Sequence, residues 1–176
     1  QVQYLKNITP CRSIMVWGRN KDKMQKYQMD MVEDGFEVDL SFSAHDIPKK
    51  CNLIITATAS LEPLIFAKDI LPGTHITAMG SDTITKQELD ADILNISDIV
   101  IADSISQCRE RGEIFHGLTS GAIKEKKILE LGNILNGSKK GRLSKEQITV
   151  ADLTGVAVQD IQIAVAVYNA YKEKKV

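Results

Sequence analysis

Residues 75–90 read HITAMGSDTITKQELD. Ile76, Ala78 and Met79 form the apolar end of a buried strand, and Gly80 with Ser81 turns the chain. Thr85 and Glu88 have the T-x-x-E spacing of a capping box that would open a helix running to about Leu94. This order puts Asp82 in a short loop at the carboxyl end of a strand. In open α/β sheets that edge is where ligands bind. Two readings of Asp82 stand side by side: a carboxylate presented to a ligand, or a loop aspartate that hydrogen-bonds its turn or caps the helix at Thr85.

The flanking sequence repeats the alternation. Val2, Leu5 and Ile8 lie at helical spacing ahead of Pro10. SIMVW at 13–17 is a short apolar run suited to a strand buried on both faces. The helical pattern over 21–34 stops at Gly35, and Phe36, Val38 and Leu40 alternate with polar residues as in an edge strand. A connection broken by Pro48 leads to NLIITAT (52–58), the next buried strand. Residues 98–102 give a further strand, and Ser104 with Gln107 a second capping pair before a helix to about Leu118. Residues 124–142 read as a turn or two of helix and a solvated connector, and 148–151 as a last strand. From Val156 the residues Ile161, Ile163, Val165 and Val167 predict a helix buried for most of its length. Short strands alternating with helices indicate βαβ units and a mainly parallel sheet.

Composition narrows the function classes. At 176 residues and 43% hydrophobic, the chain is long enough for one substantial core. A net charge of −1 gives no electrostatic case for nucleic acid or an anionic membrane surface. Apolar runs fall short of a membrane span. Cys11, Cys51 and Cys108 are scattered and odd in number, which argues for a reducing, cytoplasmic setting and against a disulfide framework. Neither they nor His45, His75 and His116 show metal-ligand spacing, so no metal is expected. Arg109, Glu110, Arg111 and Glu113 read as a salt-bridged helix face.

GSD at 80–82, followed by Lys86 and QELD at 87–90, is similar to the GxD-x-x-x-K-x-E-L segment of the ornithine cyclodeaminase/mu-crystallin family. VWGRN (16–20), IITATAS (54–60), VIADS (100–104) with QCRERGEI (107–114), and DLTGVAVQD (152–160) resemble further family landmarks, in family order. Two departures stand out. Ile84 and Thr85 occupy positions where many members have Pro-Gly, and the chain begins after the family's Gly-rich dinucleotide loop.

The resemblance implies a Rossmann-like, mainly parallel sheet with flanking helices, whose first strand and Gly-rich loop lie outside this chain. That strand would fall between SIMVW and NLIITAT, leaving a gap in mid-sheet. Residues 1–151 would be a partial NAD(P)-binding domain. Residues 152–176 would be a helix that packs on it or returns to an absent N-terminal domain, through which the protein forms a homodimer. Asp82 would be catalytic. The residues implied around the cofactor are Gly18, Arg19 and Asn20 after the second strand, Thr56 and Thr58 after the next, Gly80 and Ser81 at the turn, and Thr154 with Gly155, where free N–H groups would begin the last helix. Arg19 stands where an acid would accept a ribose 2′-OH, which leans the cofactor to NADP(H). The alternative for Arg19 is a solvated cation; for Thr56, Thr58 and Thr154, ordinary turn or cap residues; for Lys86, a helix-surface lysine instead of a partner for a substrate carboxylate.

The chemistry so implied moves a hydride from the α-carbon of a small amino acid to NAD(P)+. The imine then loses ammonia as the side-chain amine cyclises to proline, and the hydride returns. Stopping halfway gives an amino-acid dehydrogenase or ketimine reductase. A different class altogether is a mu-crystallin-like protein that binds NADPH and a small ligand.

Overall fold

The computed structural model describes residues 1–173. After the short helix α1 (Val2–Leu5), β1 (Ser13–Val16), α2 (Lys21–Glu33) and β2 (Glu37–Leu40) form one βαβ unit, with β1 and β2 parallel. The Asn20 side chain caps α2 by accepting the Lys23 N–H at 2.9 Å, Met24 and Met31 bury its inner face, and Gly35 stops it at φ +85°. Pro48 sits in the first turn of α3 (Ile47–Lys50), where its missing N–H costs nothing, so it helps start that helix and does not break the connection.

The larger sheet holds β3 (Leu53–Thr56), β4 (His75–Ala78), β5 (Ile99–Ala102), β6 (Ile128–Glu130) and β7 (Thr149–Asp152) in the order β3-β4-β7-β5-β6, all parallel. The last strand of the chain lies inside the sheet, not at its edge. All four of its residues are buried, as a strand covered on both faces requires. Ile76, Val100 and Val150 are at most 1% exposed and pack with Ile93, Leu94 and Ile114 from α4 (Asp92–Ile96) and α6 (Glu113–Ser120). Each such side chain contributes about 1.5–3 kcal/mol by leaving water. Gly117 lets α6 approach α4, since a Cβ there would lie 2.5 Å from Leu94 Cδ1.

The expected gap is present. The β1–β2 pair shares no ladder with the larger sheet. Between the facing edges of β1 and β3 lies a cavity of about 690 Å³, lined by Ile14 and Val16 on one side and Leu53 and Ile55 on the other. This slot explains why β1 is only partly buried and not covered as its apolar sequence suggests.

Four other expectations are corrected. Residues 83–91 form turns and extended backbone, and helix begins only at Asp92. The Thr85–Glu88 capping box does not form because the Glu88 carboxylate is taken by backbone donors of two strand ends. The single helix expected after Ser104 is two, α5 (Ile105–Cys108) and α6, separated where Gly112 adopts φ +91°. Within 124–142 a strand, β6, precedes the short helix α7 (Leu131–Leu135). Finally, α8 (Ala157–Glu173) is exposed along its length, with Ile161 59%, Ile163 66% and Val167 64% accessible. Its apolar faces have no covering element among the described residues.

Candidate active site

The carboxyl ends of β1, β3, β4 and β7 bring most of the singled-out residues to one edge. After β4, Asp82 stands with its side chain 54% exposed and accepts the Lys86 ammonium at 2.6 Å. That hydrogen bond holds the Asp82 carboxyl below the usual carboxylate range, and the nearby Arg111 charge adds to it. The loop under it is pinned. Ser81 Oγ donates to the Lys86 carbonyl, and His116 Nε2 donates to the same oxygen at 2.8 Å. His116 is therefore neither a cap nor a free surface histidine; it braces this loop from α6.

After β1, Gly18 lies against Met24, Asn20 is committed to capping α2, and Arg19 reaches across the mouth of the slot to donate to Ser60 Oγ at 2.8 Å. The Thr56 hydroxyl, at the end of β3 and lining the slot, is buried without a hydrogen-bond partner. Such an atom calls for a polar group from outside the described residues. Thr58 N–H donates to Glu88 at 2.5 Å, and Gly80 N–H donates to Glu88 at 2.9 Å. Thr154 Oγ1 and the Gly155 N–H both donate to Asp103, at 3.2 and 2.8 Å, so the Gly155 N–H is not free as expected. The last helix begins two residues later.

Sequence reasoning missed three buried carboxylates beneath this edge. Glu88, Glu113 and Asp152 are each at most 1% exposed. Glu113 accepts the Glu88 and Leu89 N–H groups at 2.8 and 3.1 Å, and Asp152 accepts that of Ile114 at 2.8 Å. Burial pushes Glu113 up to about 8, against the pull of the Glu88 N–H, and pushes Asp152 up to about 7. Glu113 is thus no member of a salt-bridged surface; of that set, Arg109 alone forms an exposed pair, with Glu125. The only hint in the sequence was Gly112 directly before Glu113, a residue able to turn the chain inward.

Cys108 and His75 are both engaged by their neighbours. Burial, with Asp152 and Asp103 beside it, pushes the Cys108 thiol far up and so disfavours the thiolate. His75 is the first residue of β4, with its ring nitrogens 2.6 Å from Thr149 Oγ1 on β7 and 3.2 Å from Thr77 Oγ1. Among the described residues no three His, Cys, Asp or Glu side chains cluster to hold a metal ion, and no helix is long and apolar enough to cross a membrane.

A parallel, Rossmann-like sheet interrupted at its switch point, with polar side chains gathered on its carboxyl edge, defines the class of domain. The chain belongs to the ornithine cyclodeaminase/mu-crystallin family, whose profile matches residues 1–175. It is 32% identical over 176 residues to a protein of Sinorhizobium fredii described as an uncharacterized cyclodeaminase, covering 99% of this chain and 53% of that one. It is 30% identical to the iminosuccinate reductase of Paracoccus denitrificans, covering 100% of this chain and 54% of the reductase. Among solved structures, an archaeal alanine dehydrogenase dimer with bound NAD superposes with a TM-score of 0.91 at 28% identity, over 99% of this chain and 54% of that one. The chain spans about half the length of the relatives it matches.

Proposed function

We propose that residues 1–176 are the cofactor-binding part of an NAD(P)-dependent oxidoreductase acting on a small amino acid or the corresponding imine. The observation that carries this reading is the exposed Asp82 paired with the half-buried Lys86, held on a pinned loop at the carboxyl end of β4. An amino acid or ketimine is itself a cation beside a carboxylate. Asp82, kept ionised, faces the ammonium or iminium and exchanges its proton, while Lys86 faces the carboxylate.

The residues fit a dinucleotide. The orphaned Thr56 hydroxyl lines the slot, and the Arg19 guanidinium, with no carboxylate partner among the described residues, reaches across its mouth to the neutral Ser60. When bound, the nicotinamide supplies the acceptor or donor of the hydride. Arg19 would pair with a 2′-phosphate, and Thr56 would hydrogen-bond the nucleotide as it passes the end of β3. A parallel strand from outside the described residues fills the slot and completes both ladders. The apolar length of α8 is covered by a further domain through which the protein pairs with a second copy.

A second reading in the same site is cyclodeamination, favoured by the likeness of the Asp82 loop to that segment of the family and by the 32% identical relative. One assay of the protein that contains this domain separates them. Net NAD(P)H absorbance change with an α-amino acid, or with a 2-oxo acid plus ammonia, supports the oxidoreductase. Ammonia release from a diamino acid without net cofactor change supports the cyclodeaminase. Neither signal, with cofactor binding intact, would leave a binding protein.

A further inference from the structure

Three buried carboxylates grip the site in series. Asp152, at the end of the interior strand β7, accepts the Ile114 N–H at the start of α6. Glu113, from the same turn of α6, accepts the N–H groups of Glu88 and Leu89. Glu88 in turn accepts Thr58 N–H through one oxygen and Gly80 N–H through the other. Its own carbonyl accepts the N–H groups of Leu64 and Ile65 at 2.7 and 3.2 Å. Every polar group of Glu88 is thus bound, and its two oxygens join the carboxyl ends of β3 and β4. Gly80 makes the fit close: a Cβ there would meet the Glu88 carboxyl carbon at 2.6 Å and the Thr58 carbonyl oxygen at 2.1 Å.

We propose that Glu88 is a positioning residue of the active site: by clamping Thr58 and Gly80 at a fixed separation, it sets where Asp82, two residues beyond Gly80, stands relative to the nicotinamide end of the dinucleotide. The inference rests on the oxidoreductase reading above. Both donors require an acceptor, and only a carboxylate provides two at this spacing. Glutamine would turn its own N–H toward one of the donors and release that loop. Aspartate, one methylene shorter, reaches one loop and not both. The released loop would displace Asp82 from the reacting end of a bound cofactor.

The test is Glu88→Gln in the protein that contains this domain, with rates normalised to the folded fraction. We expect kcat to fall about 100-fold, as for a reacting group misplaced by about 1 Å, while the dinucleotide Kd moves less than about threefold. The primary deuterium isotope effect on kcat, read with 4-deuterated cofactor, should rise, because hydride transfer becomes the slow step. If the glutamine variant does not fold, Glu88→Asp carries the same expectations. A variant that keeps the wild-type kcat and isotope effect, or one that loses cofactor affinity and kcat together, overturns the positioning role. An inactive wild type overturns the oxidoreductase reading instead, and is recognised before any variant is compared.

Discussion

Lys86 Nζ lies 2.6 Å from Asp82 Oδ1, four residues apart on a loop with no helical backbone to set that spacing. Ser81 and His116 fix the Lys86 carbonyl and so hold the backbone from which the side chain reaches Asp82. Its consequence reverses an expectation drawn from the reaction class alone. A proton-transfer group against an apolar cofactor face suggests a raised pKa; Asp82 is exposed, and its partner lowers it.

Asp82→Asn should therefore lower kcat by about 10²–10⁴-fold, the span of a positioned acid/base, with little change in cofactor affinity. Because Asp82 stays ionised below the usual carboxylate range, the acid limb of the kcat profile should lie at low pH. Lys86→Met removes the hydrogen bond that depresses it, so that limb should move up. An unmoved limb in a steady-state pH series would separate Lys86 from the chemistry.

Arg19 leads to a prediction about cofactor choice. Its guanidinium is held by Ser60 across the slot, and no carboxylate pairs with it among the described residues. The intact protein should prefer NADP(H), and Arg19→Ala should erase the preference. A charge-assisted contact to phosphate is worth roughly 1.5–3 kcal/mol, so the Kd for NADP+ should rise about tenfold or more while that for NAD+ holds. Calorimetric titration showing equal affinities before mutation removes the basis for the claim.

The buried carboxylates predict a stability that falls with rising pH. Glu113 and Asp152 have folded-state values raised to about 8 and about 7 from 4.5 and 3.8. Their protonated forms favour the fold, so their contribution is fully present below the unfolded values and is lost as pH rises through the folded ones. Asp34 and Asp82, both lowered, act with the opposite sign, above the unfolded value, and lose their contribution only as pH falls below about 4. Between those limits Tm should decline from about pH 5 to pH 9, and Glu113→Gln should flatten the decline. A Tm that climbs over that window would contradict it.

The βαβ alternation, the starts of every strand but β6 and the end-of-strand position of Asp82 were legible in the sequence, because they depend on local apolar runs and turn residues; the gap beside β1 followed only from the family resemblance. What was not legible is tertiary in origin. The spacing of Thr85 and Glu88 is the same whether the glutamate caps its own helix or reaches two distant strand ends, and only the approach of β3 and β4 decides it. R-E-R-G-E resembles a solvated face until Gly112, at φ +91°, turns Glu113 inward. Three residues, Ile128–Glu130, are too few to signal β6 without the pairing it makes with β5. The apolar length of α8 says that the helix needs cover, and nothing in its periodicity says which element supplies it.

That last point, with the slot, bears on what residues 1–176 do when expressed on their own. The facing edges of β1 and β3 carry unpaired backbone N–H and C=O groups on either side of the cavity, and unmade backbone hydrogen bonds are costly wherever water is excluded. Arg19 and Thr56, the side chains assigned to the dinucleotide, are borne by those same unsupported edges. The chain alone should therefore unfold with weak cooperativity and bind no dinucleotide tightly. A ligand at 100 times its Kd stabilises by about 2.7 kcal/mol, or several degrees of Tm for a domain of this size. Millimolar NADP+ should produce no such shift in calorimetry of residues 1–176. A sharp transition that rises by several degrees on adding NADP+ would show that the slot needs no strand.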